Sequence, residues 1–194
     1  MKKILVVIDV QNDFIDGSLR NEEAIKVVPN IVEKIKSFDG DAIYATKDTH
    51  FENYLETPEG KKLPFVHCVR ETQGWEINKD VDAALNEKAT EGNCDVVIIE
   101  KPTFGAFNLL QDLDERYPED VLNLEFVGFC TDICVVSNVL LAKAAFYANS
   151  NITVDASCCA GVSVDKHNAA LLTMKSCQVD IVNWADDPDL KKED

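Results

Sequence analysis

The feature that most constrains this chain is the alternation of two hydrophobic periods along its length. Short β-branched runs stand at KILVVID (3–9), DAIYAT (41–46), DVVIIEK (95–101), LNLEFVGF (122–129), ITVDAS (152–157) and VDIVN (179–183). Between them lie stretches with helical spacing: EEAIKVVPNIVEKIKSF (22–38), KDVDAALNEKAT (79–90), NLLQDLDERY (108–117), DICVVSNVLLAKAAFYA (132–148) and DKHNAALLTMKSC (165–177). Strands buried on both faces read as continuous apolar runs, and intervening helices supply the crossovers that parallel strands need. The pattern therefore predicts an α/β fold, a mainly parallel sheet with helices on both sides. With 194 residues, 46% of them apolar, the chain is long enough for one such domain and short for two, so a single domain over 1–194 is expected. One long irregular region, 47–74, interrupts the alternation, and a loop of that length in a compact domain is usually functional.

Charge and cysteine usage exclude several classes. With 35 acidic against 19 basic residues and a net charge of −16, the chain lacks the basic surface that nucleic acid requires, which leaves a small molecule as the expected partner. The basic start MKK and the run after it resemble a secretion signal, but Asp9 breaks the run too early and no small-residue cleavage site follows. No segment has the apolar length to cross a membrane. Seven cysteines, odd in number and unevenly spaced, do not form a disulfide framework and fit a reducing, cytoplasmic setting. Five of them, Cys68, Cys94, Cys158, Cys159 and Cys177, are expected as small core residues. The acidic tail ADDPDLKKED is expected to be too polar to pack.

In a parallel α/β sheet the ligand site collects at the carboxyl ends of the strands. The first strand ends at Asp9, followed by Gln11, Asp13 and Phe14; the third ends at Glu100 and Lys101; the fourth leads through Gly128 into Cys130 and Cys134. A carboxylate, an amine and a thiol thus converge on one edge. A helix start and a neighbouring cation favour the thiolate of Cys134, and a carboxylate can take its proton and pass it to a leaving group. Taken singly, Asp9 reads equally as a turn residue, Lys101 as a solvated lysine and each cysteine as core; only their convergence suggests catalysis. Backbone amides at the corner can receive an oxyanion.

A second constellation lies in TKDTHFENYLETPEGKKLPFVHC (46–68). Asp48 and His50, two apart at a strand end, point to one side, and His67 returns in the following loop. A carboxylate with two imidazoles suits zinc, iron or manganese with positions open for water and substrate, although a surface loop with exposed histidines has the same spacing. His167 lies near a helix start and reads as structural.

DVQNDF near the N-terminus, a lysine closing a middle strand and GFCTDICV together resemble the isochorismatase-like cysteine hydrolases, a superfamily that includes nicotinamidases and N-carbamoylsarcosine amidohydrolase. The resemblance spans nearly the whole chain. It implies a Rossmann-like three-layer αβα sandwich, a catalytic set of Asp9, Lys101 and Cys134, a cis peptide before Cys130, and an oxyanion hole from the amides of Cys130 and Cys134. Metal-dependent nicotinamidases are similar in the second constellation, which implies Asp48, His50 and His67 as ligands of a divalent metal, zinc first, with Glu59 as the remaining ligand ahead of Glu56 and Glu52. The aromatic residue that nicotinamidases place three before the last histidine is absent, since Pro64 stands there. Phe14 and Gln11 are expected at the substrate, with Phe104, Trp75 or Phe65 as a further wall. The activity implied is hydrolysis of a small amide through a thioester, in a homo-oligomer. Three alternatives remain open at this level: a metal-independent relative acting on another amide, ureido compound or vinyl ether; a redox domain pairing Cys130 with Cys134; and a scaffold without turnover.

Overall fold

The run KILVV becomes β1 (Lys2–Ile8), whose residues Ile4 to Ile8 are all buried because the strand lies in the middle of the sheet. The computed structural model describes residues 1–146 and 148–190; Tyr147, near the end of the fourth helical stretch, and the tail residues 191–194 lie outside the described residues. The other strands are β2 (Ala42–Asp48), β3 (Asp95–Lys101), β4 (Leu122–Phe129), β5 (Ser150–Ala160) and β6 (Asp180–Val182). They form one sheet in the order β3-β2-β1-β4-β5-β6, parallel at every pairing. Chain order runs outward from β1 in one direction and from β4 in the other, so a topological switch point lies between these two central strands. In open α/β sheets that crevice is where ligands bind.

Helices α1 (Asn12–Ile15), α2 (Glu22–Ser37) and α3 (Lys79–Glu91) cover one face; α4 (Phe107–Arg116), α5 (Val136–Ala145) and α6 (Val164–Ser176) cover the other. Alternate β1 side chains serve the two cores: Leu5 and Val7 meet Ile31 and Ile35 of α2, whereas Ile4, Val6 and Ile8 belong with Leu109, Val139 and Met174. Burying each such aliphatic side chain contributes about 1.5–3 kcal/mol. This is the α/β three-layer architecture expected. Helix starts follow local chemistry, with Asn21 accepting from the amides of Glu23 and Ala24, and Ser163 from that of Lys166.

Several expectations are corrected. β2 and β5 run further than their apolar cores, to Asp48 and Ala160, because parallel pairing continues past the last aliphatic residue. β3 is an edge strand rather than a doubly buried one, leaving Ile98 47% exposed. Cys177 is exposed at the C-cap of α6, whereas Cys68, Cys94, Cys158 and Cys159 are buried. The polar tail, by contrast, stays at the surface as expected where it is described, with Ala185, Asp186, Asp189 and Leu190 exposed; the chain is anchored just before it by the buried Trp184, whose indole N–H donates to Asn168, and by the Lys175 ammonium, which holds Asp187 and Asp189. Among the described residues no helix is long and apolar enough to cross a membrane.

Candidate active site

At the switch point the ends of β1 and β4 meet through bare backbone. Gly128 pairs with Ile8 in the ladder at φ +115°, and a Cβ there would lie 2.1 Å from the Ile8 carbonyl oxygen. Only glycine tolerates that approach at that dihedral. Asp9 follows at φ +48°, a left-handed conformation that aspartate accepts more readily than most residues. On the β4 side the Phe129–Cys130 peptide is cis, and one turn of π-helix (Thr131–Val135) carries Cys134 before α5 begins. Such single π-turns recur at functional sites.

Asp9, Lys101 and Cys134 come together as anticipated. The Lys101 ammonium, fully buried, lies 2.7 Å from Asp9 Oδ2, 3.5 Å from Cys134 Sγ and 3.1 Å from the Thr103 carbonyl. Thr46 donates its hydroxyl to Asp9 Oδ1 at 2.6 Å and accepts from the Asp9 amide. The other carboxylate oxygen, Oδ2, meets Lys101 as an ion contact without the alignment of a hydrogen bond and has no hydrogen-bond partner among the described residues. Burial pushes the Asp9 carboxyl up against the pull of Lys101, which makes it a stronger base than an exposed aspartate. Burial and then the Asp9 charge push the Cys134 thiol well up, outweighing Lys101, so the group rests as a thiol rather than the thiolate the cation alone would favour. For Lys101 burial opposes the charge, but Asp9, Cys134 and Asp48 outweigh it and raise its pKa. An ammonium, a thiol and a basic carboxylate in one dry pocket can transfer a proton from sulfur to oxygen as an electrophile arrives.

The second cluster adjoins the first through Asp48. In the ladder Asp48 sits opposite Lys101, and its Oδ1 lies 3.4 Å from the ammonium. Its Oδ2 faces His50 Nε2 at 3.0 Å and His67 Nε2 at 3.6 Å. Glu59 Oε1 approaches the same two nitrogens at 3.6 and 4.0 Å. The loop 47–74 is ordered to do this: His50 bridges Val69 in parallel, the Cys68 amide donates to Asp13, and a turn closed by the Gly60 amide donating to the Thr57 hydroxyl presents Glu59. Glu52 and Glu56 are exposed on the same loop. The Phe65 carbonyl engages His67 Nδ1 at 2.8 Å, which leaves Nε2 with a lone pair toward the cluster when Nδ1 carries the proton. His50 Nε2 is buried without a hydrogen-bond partner among the described residues. Although burial opposes it, contact with the imidazoles and Lys101 holds the Asp48 carboxyl well below its usual range. Two imidazole nitrogens and carboxylate oxygens, one nitrogen orphaned, fit a divalent cation in donor type and closeness; Asp48, His50 and His67 offer ligand atoms within 4.8 Å of one another.

The expected substrate residues divide. Phe14 packs edge-on to His67 at 5.8 Å, and Phe104 stands 44% exposed on the turn after β3. Gln11 is fully buried, with its amide nitrogen donating to the Asp48 and Trp75 carbonyls and its oxygen accepting from the Asp48 amide, so it braces Asp48 from below. Trp75 has the Lys47 ammonium 2.9 Å from its ring centroid and its N–H on Thr49, which occupies one face and the polar edge. Phe65 is 57% exposed. Tyr54 was missed: it packs at 4.6 Å on His50 and 5.0 Å on His67, with its hydroxyl donating to the Leu63 carbonyl. Nothing local marks it. Thr46 was missed as well, although strand alternation, which places it on the same side as Asp48, is a signal that could have found it.

Known proteins share this arrangement of chain. The isochorismatase domain model matches residues 3–186. The isochorismatase family protein PncA of Bacillus subtilis is 31% identical over 179 residues, 88% of this chain and 93% of the relative. The crystal structure of nicotinamidase/pyrazinamidase PncA from Bacillus subtilis aligns with a TM-score of 0.78 at 29% identity, over 93% of this chain and 99% of that one. Pyrazinamidase of Pyrococcus horikoshii, solved in complex with zinc, aligns at 0.74 with 26% identity over 95% and 100%. With the family model covering nearly its whole length on the fold these structures share, the chain belongs to the isochorismatase family.

Proposed function

We propose that the protein is an amidohydrolase of nicotinamidase type, converting nicotinamide to nicotinate and ammonia through a thioester on Cys134. The observation that carries the reading is the fully buried Lys101 ammonium between Asp9 at 2.7 Å and Cys134 at 3.5 Å, beside a cluster suited to a divalent cation. As sulfur attacks the amide carbonyl, Asp9 Oδ2 takes the thiol proton, and the amides of Cys130 and Cys134 receive the oxyanion. Collapse breaks the C–N bond; Asp9 returns the proton to the departing nitrogen, which leaves as ammonia. Water, deprotonated by the same carboxylate, then hydrolyses the thioester and restores the thiol. Lys101 keeps the charge of the pocket balanced while the proton moves. Asp48, His50, His67 and Glu59 would hold a divalent cation, zinc first and iron or manganese after it, which would supply a Lewis-acid anchor for the pyridine nitrogen. Phe14 and Phe104 are the aromatic walls this reading favours.

Seven unpaired cysteines suit a cytoplasmic enzyme. Exposed Phe51, Leu55, Phe65 and Val66 on the loop after β2 support a homo-oligomer. The test is ammonia release from nicotinamide by the purified protein, with and without a chelator, beside Cys134→Ala. Turnover should vanish with the substitution and fall at least tenfold on chelation. Absence of turnover, with no metal by elemental analysis, would leave a cysteine hydrolase of another small amide.

A further inference from the structure

Asn138 lies one turn beyond Cys134 on α5 and is 1% exposed, a polar side chain in an otherwise apolar setting. All of its amide is engaged with backbone. Nδ2 donates to the Cys134 carbonyl at 2.7 Å and to the Phe104 carbonyl at 2.9 Å, while Oδ1 accepts from the Ala106 amide at 2.8 Å. One side chain therefore joins the nucleophile's own peptide to the turn that follows β3. The same turn is held from the other side by Lys101, which donates to the Thr103 carbonyl at 3.1 Å, and internally by the Thr103 hydroxyl on the Gly105 carbonyl at 2.7 Å. Phe104 is 44% exposed, so core packing does little to hold this turn; its backbone tethers do.

We propose that Asn138 is a positioning residue that ties the turn bearing Phe104 to the Cys134 peptide and so confers a preference for planar aromatic substrates over aliphatic ones. This rests on the amidohydrolase reading for its biological meaning, although the geometry it describes does not depend on turnover. Asparagine suits the task because a single planar group supplies two donors and one acceptor in fixed directions. Alanine leaves three backbone groups of two segments without their common partner. Aspartate keeps the acceptor but sets its charge against two carbonyls.

The test compares site-specific alkylation of Cys134, followed by peptide mass spectrometry, with an aromatic reagent (2-chloroacetophenone) and an aliphatic one (iodoacetamide). The wild-type rate ratio should favour the aromatic reagent, and Asn138→Ala should lower that ratio about fivefold, as should Phe104→Ala. The double variant should fall no further than either single one, and iodoacetamide rates should stay within about twofold. If Asn138→Ala does not give folded protein, Asn138→Ser, which keeps a hydroxyl for one partner, carries the same comparison. A ratio unchanged in the Asn138 variant while Phe104→Ala lowers it would overturn the proposal, as would a ratio indifferent to Phe104. Nicotinamide turnover, measured alongside, reports on the parent reading separately: the alkylation ratio can respond as expected in a protein that does not hydrolyse nicotinamide. Where turnover is present, KM for nicotinamide should rise about tenfold in Asn138→Ala with kcat within threefold.

Discussion

Gly128→Ala tests whether the close backbone approach at the switch point holds the site together. The added Cβ would lie 2.1 Å from the Ile8 oxygen and 2.7 Å from the Ile8 nitrogen, both main-chain atoms in a central strand that cannot rotate aside. Against a normal contact of about 3.5 Å the shortfall is roughly 1.4 Å. Overpacking of that kind costs about 1–3 kcal/mol, and φ +115° on a residue with a side chain adds about 1–3 kcal/mol. The expected loss is therefore about 2–6 kcal/mol, a large share of a typical stability of about 5–15 kcal/mol. Because Ile8 carries Asp9, relief by separation of the strands would also shift the carboxylate; misplacement by about 1 Å can cost about a hundredfold in rate. Urea denaturation measures the first effect, through a lowered midpoint at constant slope, and kcat/KM for ammonia release measures the second. Gly92→Ala is the control, at φ +72° with no atom within 4 Å of the new Cβ; it should cost about 1 kcal/mol and leave the rate alone. If Gly128→Ala proved no more harmful than Gly92→Ala in both assays, the steric argument would be refuted.

Lys101→Met removes the ammonium from between Asp9 and Asp48 and leaves two buried carboxylates without it. Urea melts in the presence of a chelator should show a loss of about 3–5 kcal/mol, and a loss below about 1 kcal/mol would mean that the pair contributes little. Asp155, 1% exposed, is opposed by burial but held below its ordinary pKa by Lys34, Ser157 and Asn183. Its folded pKa being the lower one, its contribution is complete above about pH 4 and is lost as pH falls through the folded value. Asp155→Asn should cost about 2 kcal/mol at pH 7, with the gap closing in melts run below pH 4. A gap independent of pH would count against the charge argument.

Much of this was legible because strand ends announce themselves. An apolar run that stops at Asp9, another that stops at Lys101 and a glycine before two cysteines predict convergence once a parallel sheet is assumed, and the structure brings these side chains together. Asp48, His50 and His67 were also readable, as spacing and residue type. What local pattern does not encode is the supporting shell. Gln11 looks like a substrate ligand from its place in DVQNDF, yet its partners lie 37 and 64 residues away, on the backbone of Asp48 and Trp75. Trp75 reads as a wall of the substrate pocket until Lys47, from β2, is found over its ring. Tyr54 sits in a loop with no period, and its packing on both imidazoles depends on the fold of the whole 47–74 segment. Cys177 and β3 were misplaced for a simpler reason: residue type reports a preference for burial, while exposure is decided by which edge of the sheet or helix a position occupies.

The pairing of Asp48 with Lys101 and of Ile8 with Gly128 in the β-ladder has a consequence for how such a chain tolerates change. A substitution on an outer helix needs only to preserve an apolar inner face. A single-residue insertion or deletion inside β1, β2, β3 or β4 is different in kind. Strand side chains alternate with period two, so one step turns an aspartate or lysine from the shared crevice toward a helical layer. Length variation should therefore be confined to the loops between the layers, while the strands behave as a ruler on which the distances between reactive atoms are marked.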